Sequence, residues 1–222
     1  MRHLEEELED LRKRLLEMSG LVEAGIYHSV QALVEKDPKQ AQLVLKNEAR
    51  INQMQIDIDE IATNLLALEQ PVATDLRLIT AAMKINTELE RMGDLAVNMA
   101  ERALSLMDQK LVRPPVDIPH LANLVESMVR KTLDAFVKRD AELARVVLAS
   151  DDAVDALRDA IYIELIRFME RDLTVVRQSV DLMFIARNLE RVADHATNIA
   201  EDVLFVVEGV DVRHHATRTS HT

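Results

Sequence analysis

The sequence predicts an all-α fold of two tandem three-helix bundles related by an internal pseudo-repeat, and three observations point to it. The chain of 222 residues holds only 4 glycines, 5 prolines and 3% aromatic residues. Ala, Leu, Val, Glu, Asp and Arg make up most of the rest, which suits helices and leaves little material for sheets or tight hairpins. Apolar residues step by three and four over long stretches, the spacing of one helix face. Finally, Glu90-Arg91-Met92-Gly93-Asp94-Leu95-Ala96-Val97-Asn98-Met99-Ala100-Glu101 recurs 100 positions later as Glu190-Arg191-Val192-Ala193-Asp194-His195-Ala196-Thr197-Asn198-Ile199-Ala200-Glu201, identical at 7 of 12 positions.

The elements follow in order. A first helix over 4–35 begins in the acidic run Glu5-Glu6-Glu7-Leu8-Glu9. Asp37-Pro38 then reads as an N-cap followed by proline in the first helical position. It opens a second helix over 38–68, whose seam is Ile51, Met54, Ile58, Ile61, Leu65 and Leu68. Pro71 precedes Thr74, the expected cap of a third helix over 75–108. That helix carries Leu78, Ala82, Ile85, Leu89, Met92, Ala96, Met99, Ala103 and Leu106 along one face. Pro114, Pro115 and Pro119 cluster around Asp117 and mark the strongest boundary. The second half repeats the plan with helices over 118–138, 141–170 and 175–208. Asp140 and Thr174 are its expected caps, Ile185, Leu189, Val192, Ala196, Ile199, Val203 and Val206 its last seam, and Gly209 its stop. Asp37 matches Asp140, and Leu45 matches Leu148, at an offset of 103; Glu90 matches Glu190 at 100, so a three-residue deletion separates the two registers. A helix of about 30 residues is roughly 45 Å long, so each half is an elongated rod. The expected domains are 1–112 and 113–209, followed by a disordered tail over 210–222.

Composition also excludes. The chain has no cysteine, which removes disulfides, thiol nucleophiles and zinc-thiolate sites. No apolar run approaches the roughly 18 residues of a membrane span, so no direct span is expected and the cytoplasm is the expected compartment. A net charge of −12 would repel nucleic acid and anionic lipid over much of the surface. Membrane association would go through a protein partner.

The repeated polar set carries the functional question. Glu90 and Asp94, like Glu190 and Asp194, stand at i and i+4, one above the other on a helix face. Carboxylates so placed can share a hard cation, and an oxygen-only donor set suits Mg²⁺, Mn²⁺ or Fe and not zinc or copper. At 100° per residue, Glu90, Asp94 and Glu101 lie well off the Leu89–Met92–Ala96 seam. The same sector carries Leu76, Ile79 and Met83 nearer the helix start, so a second apolar stripe turns acidic halfway along. A solvated charged face would show the same residues, with Arg91 pairing to Asp94 and Arg191 to Asp194 at i, i+3. Asp151 and Asp155 share the spacing in the expected fifth helix. An antiparallel pair folded about Asp172–Leu173 would set Asp155 level with Glu190, and Asp151 level with Asp194. The first half is poorer there, since Glu48 matches Asp151 but Asn52 replaces Asp155. His195 has no counterpart in the first half, where Leu95 stands. His214, His215 and His221 fall in the tail. No Glu-x-x-His, serine–histidine nucleophile pattern or glycine-rich phosphate loop occurs, so catalysis has no candidate residues.

These motifs resemble the PhoU family of phosphate-signalling proteins. The resemblance rests on Glu90-Arg91-x-Gly93-Asp94 and Glu190-Arg191-x-Ala193-Asp194. Gln70-Pro71-x-Ala73-x-Asp75-Leu76-Arg77 and the end Val206-Val207-Glu208-Gly209-x-Asp211-Val212-Arg213-His214 support it. It implies a cytoplasmic, two-bundle regulator, commonly a homodimer and not an enzyme. Such a regulator couples a phosphate ABC transporter, through its ATPase subunit, to a membrane histidine kinase. It also implies metal ions on the outer bundle faces, carried here to Glu90, Asp94, Glu190 and Asp194, and less directly to Asp151 and Asp155. Ala193 departs from the glycine found at Gly93. A spectrin-like scaffold of repeated three-helix units and a bundle metalloenzyme are the rival readings. The first leaves the repeated polar identities unexplained, and the second lacks histidine ligands.

Overall fold

The computed structural model describes residues 2–107 and 116–209; the expected joint around Pro114 and Pro115 and the expected tail lie outside them. Among the described residues there are helices and no strands. The first bundle is α1 (Arg2–Glu35), α2 (Pro38–Leu68) and α3 (Ala73–Met107); the second is α4 (Ile118–Lys138), α5 (Ala141–Leu148), α6 (Asp151–Arg171) and α7 (Val176–Glu208). A short 3-10 turn, Leu173–Val175, leads into α7.

Aspartate side chains cap three of the helix starts. Asp37 accepts the N–H of Lys39 at 3.0 Å, Asp117 that of His120 at 3.0 Å and Asp140 that of Leu143 at 3.0 Å, each satisfying a donor that the first helical turn leaves free. The seams are buried as the spacing requires: every named seam position of α3 and α7 lies in the core. Gly209 closes α7 with φ of 72° and its N–H on the Phe205 carbonyl.

Three expectations are corrected. The single helix over 141–170 is two helices, broken at Ala149–Ser150. The Ser150 hydroxyl turns back onto the Val146 carbonyl at 2.7 Å, while its N–H bonds Val147 at i−3. Back-bonding of this kind bends helices, and Asp151 and Asp152 then favour a fresh start. Neither threonine is a cap. Thr74 already lies inside α3, and Asp172 caps the turn before α7, accepting the N–H of Thr174 at 2.9 Å and its hydroxyl at 2.7 Å. Leu68, placed on the α2 seam, is 76% exposed because the helix ends there.

The two bundles share one connected core running from Leu8 to Val206. Most of the junction is α3 packed along α7, with a smaller contact of α1 on α4. The α3–α7 seam is polar at its margins and follows the pseudo-repeat. Lys84 pairs with Asp202 at 2.9 Å. At the matched positions Arg102 lies over the Phe184 ring, 4.5 Å from its centroid, and pairs with Asp181 at 3.4 Å. Between them His195 Nδ1 meets Glu88 at 2.5 Å, and Asn198 donates to the same carboxylate at 3.1 Å.

Candidate functional site

The acidic ladders sit on the outward faces of the two central helices. On α3, Glu90 is half-buried, while Asp94, Asn98 and Glu101 are exposed. The upper part of that stripe packs inward as expected at Ile79, which is fully buried, and Met83, which is partly so; Leu76 at its start is exposed. Partial burial, then repulsion from Asp94, pushes the Glu90 carboxyl above its ordinary value, against a smaller pull from Arg91. The Arg91–Asp94 pairing that a solvated charged face would show is absent, since Arg91 reaches back to Glu88 at 3.0 Å.

Gly93 has a packing role beside this pair. A Cβ there would meet Ile51 Cδ1 at 3.2 Å and Cγ2 at 3.3 Å, so α2 approaches α3 too closely for a larger residue without adjustment.

In the second bundle, α6 and α7 fold back on one another about Asp172 and bring all four sequence-predicted carboxylates into one neighbourhood. Desolvation, then the charges of Asp194, Asp155 and Asp152, raises the Asp151 carboxyl above its ordinary value. Asp194 is raised likewise, by loss of surrounding water and then by Glu190 and Asp155. The same antiparallel register holds about two turns nearer the Asp172 fold, where the Tyr162 hydroxyl donates to the Met183 carbonyl at 3.2 Å.

Sequence reasoning missed the side chain that dominates this cluster. Arg158 donates to Glu190 at 2.6 Å, pairs with Asp159 at 2.9 Å and reaches Asp155 at 3.4 Å. Its spacing from Asp155, i to i+3, was the available signal. Beside it lies an open cleft of about 450 Å³, whose walls include Tyr162, Arg187, Arg191 and Asp194. Arg191 makes no ion pair with Asp194 among the described residues. The first bundle has no such cluster: Asn52 is exposed, Glu48 is half-buried, and Gln55 stands where the repeat places Arg158. The Gln55 carbonyl accepts from Asn86 at 2.8 Å, and Asn86 also donates to Asp59 at 2.9 Å. Among the described residues no three carboxylates or histidines converge closely enough to hold a metal ion as they stand.

His195, uninformative in sequence, is the second residue the structure brings forward. Its ring and the Glu88 carboxylate are each 12% exposed. Burial is the largest influence on Glu88 and opposes its ionisation. Hydrogen bonds from His195 and Asn198, with the charges of His195 and Arg91, outweigh it and hold the carboxyl below its ordinary value.

Comparison with known proteins covers both bundles. The family model of the PhoU domain matches twice, over residues 15–103 and 118–203. A phosphate-specific transport system accessory protein PhoU homolog of Pseudomonas aeruginosa is 42% identical over 209 residues, covering 94% of this chain and 86% of its own length. The homolog of Pseudomonas putida, with the same description, is 41% identical, covering 94% and 82%. Among solved structures, PhoU from Pseudomonas aeruginosa superposes with a TM-score of 0.89 at 40% identity, covering 93% of this chain and 99% of that one. The phosphate transport system regulatory protein PhoU from Streptococcus pneumoniae gives 0.87 at 29% identity, covering 94% and 99%.

Proposed function

Since this chain belongs to the PhoU family, we propose that it regulates phosphate uptake and phosphate-starvation signalling without catalysing a reaction. The observation that carries this reading is the end-to-end match, through both repeats, to relatives described as phosphate transport accessory proteins. In this reading the chain acts in the cytoplasm, as a homodimer, between the ATPase subunit of a phosphate ABC transporter and a membrane histidine kinase. Two features support it: no described helix is long and apolar enough to cross a membrane, and a net charge of −12 suits docking on basic protein surfaces. Deleting the gene should leave phosphate-responsive genes switched on when phosphate is abundant; unchanged expression would remove the reading. A pulldown from cells in high and low phosphate should recover the ATPase subunit and the kinase, more weakly as salt rises.

The cation reading belongs to the same proposal. Glu90 and Asp94 have neither a hydrogen bond nor an ion pair from their side chains among the described residues, and they repel each other. A bound Mg²⁺, Mn²⁺ or Fe would relieve that repulsion. Asp151, Asp155, Glu190 and Asp194 are the second set of candidate ligands, but there Arg158 already supplies the positive charge, so the cation reading is proposed for Glu90 and Asp94. Metal analysis of protein purified without chelator tests occupancy.

A further inference from the structure

The two repeats hold one matched glutamate differently. Glu190 receives a guanidinium N–H at 2.6 Å, whereas its counterpart Glu90 has no side-chain partner among the described residues. The difference lies in what α2 and α6 present: Gln55, which cannot carry charge, against Arg158, which always does. Arg158 is held firmly. Its side chain is 21% exposed and that of Glu190 18%, and the guanidinium also engages Asp159 at 2.9 Å and Asp155 at 3.4 Å. A charge-assisted bond of this length, reinforced by further carboxylates, is among the stronger polar contacts a protein makes. A divalent ion brought to the same carboxylates would meet a fixed like charge within the same shell of oxygens. It would also have to take Glu190 away from its donor.

We propose that Arg158 is the built-in cation of the second repeat, occupying the place a metal ion would take among Asp155, Glu190 and Asp194, so that this half of the protein holds no metal in the wild-type chain. The duplicated acidic motif is then used in two ways. One copy is left open on α3, and the other is closed from within by a residue of α6. The inference draws on the cation reading only for what the second cluster would hold once Arg158 is removed; it does not depend on the phosphate role.

The test counts bound Mn²⁺ by electron paramagnetic resonance on the full chain after chelator treatment, with helicity followed by circular dichroism. In the wild-type background, Asp155→Asn with Asp194→Asn should leave Mn²⁺ binding unchanged. Arg158→Gln should bind an additional Mn²⁺ per chain, and adding Asp155→Asn and Asp194→Asn to it should abolish that gain. Loss of bound Mn²⁺ from the wild-type background on changing Asp155 and Asp194 would overturn the proposal. So would a folded Arg158→Gln protein that binds no more Mn²⁺ than wild type. If Arg158→Gln does not fold, the wild-type arm alone decides. Loss of Mn²⁺ on Glu90→Gln with Asp94→Asn reports on the first repeat separately, so failure there counts against the cation reading of α3 and not against the role of Arg158.

Discussion

Gly93 and Ile51 are fitted to each other across the α2–α3 contact: the Cβ that Gly93 lacks would stand 3.2 Å from Cδ1 of Ile51. In the second repeat the matched positions are Ala193 and Val154, both buried. One repeat has the larger side chain on the outer helix and none on the central one; the other gives up a methylene on α6 and gains a methyl on α7. The departure of Ala193 from glycine is therefore a packing exchange. Gly93→Ala gains helix propensity of about 0.8–1 kcal/mol but presses on Ile51, so alone it should be near neutral or destabilising. Ile51→Val alone should cost about 0.5–1.5 kcal/mol. The double variant should be more stable than the two single effects sum to, read as a positive coupling in a double-mutant cycle by urea denaturation. Additive effects would mean that Ile51 shifts aside freely.

Repeats and periodicity made the fold legible because both report on a residue's own helix. The α3 and α7 seams, the aspartate caps and Gly209 are all local signals, and all stand in the structure. The break at Ser150 was hidden because the apolar stepping continues through it, and only the serine's turn onto Val146 bends the chain. Placing Asp151 level with Asp194 followed from the antiparallel fold alone. Arg158 was missed for a different reason, since its side chain reaches beyond its own level to Glu190. Glu88 and His195 were out of reach, because their meeting depends on α3 packing against α7 and nothing in either helix states that partner.

Arg139 ends α4 in the left-handed region, with φ of 52° and its N–H on the carbonyls of Ala135 and Phe136. Glycine takes this conformation without the Cβ penalty. Arg139→Gly should therefore raise stability, by up to about 1 kcal/mol, read as a higher urea midpoint with an unchanged slope. A lower midpoint would assign the exposed side chain a stabilising contact of its own.

Asp151 and Asp194 are each held above their ordinary value of 3.8 by desolvation and by neighbouring carboxylates. A carboxyl raised in the folded state is penalised at neutral pH. That penalty disappears once the pH falls below the unfolded value. Asp194→Asn should accordingly raise the melting temperature at pH 7, with the gain shrinking as the pH is lowered through the raised folded value. A variant that melts lower at pH 7 would make Asp194 a structural carboxylate.

Glu88 behaves in the opposite sense, and it joins the two bundles. Its carboxyl is depressed below the ordinary value of 4.5 because His195 and Asn198 of α7 and Arg91 of its own helix outweigh its burial. The stabilisation is therefore present above about pH 4.5 and is lost as the pH falls through the lower folded value. The imidazole can donate from Nδ1 whether the ring carries one proton or two, so the carboxylate sets the acid limit of the contact. His195→Leu installs the residue found in the first repeat and leaves a largely buried carboxylate short of its closest donor. The loss should be about 1.5–3 kcal/mol at pH 7, the range for a hydrogen bond to a charged group. It should narrow as the solution is acidified below pH 4.5, where Glu88 becomes protonated in the variant first. Glu88→Gln should remove most of the pH dependence of this difference while keeping a hydrogen-bonding group at the junction. A His195→Leu deficit that stays constant from pH 7 to pH 3.5 would assign the histidine to packing alone and detach the junction from charge.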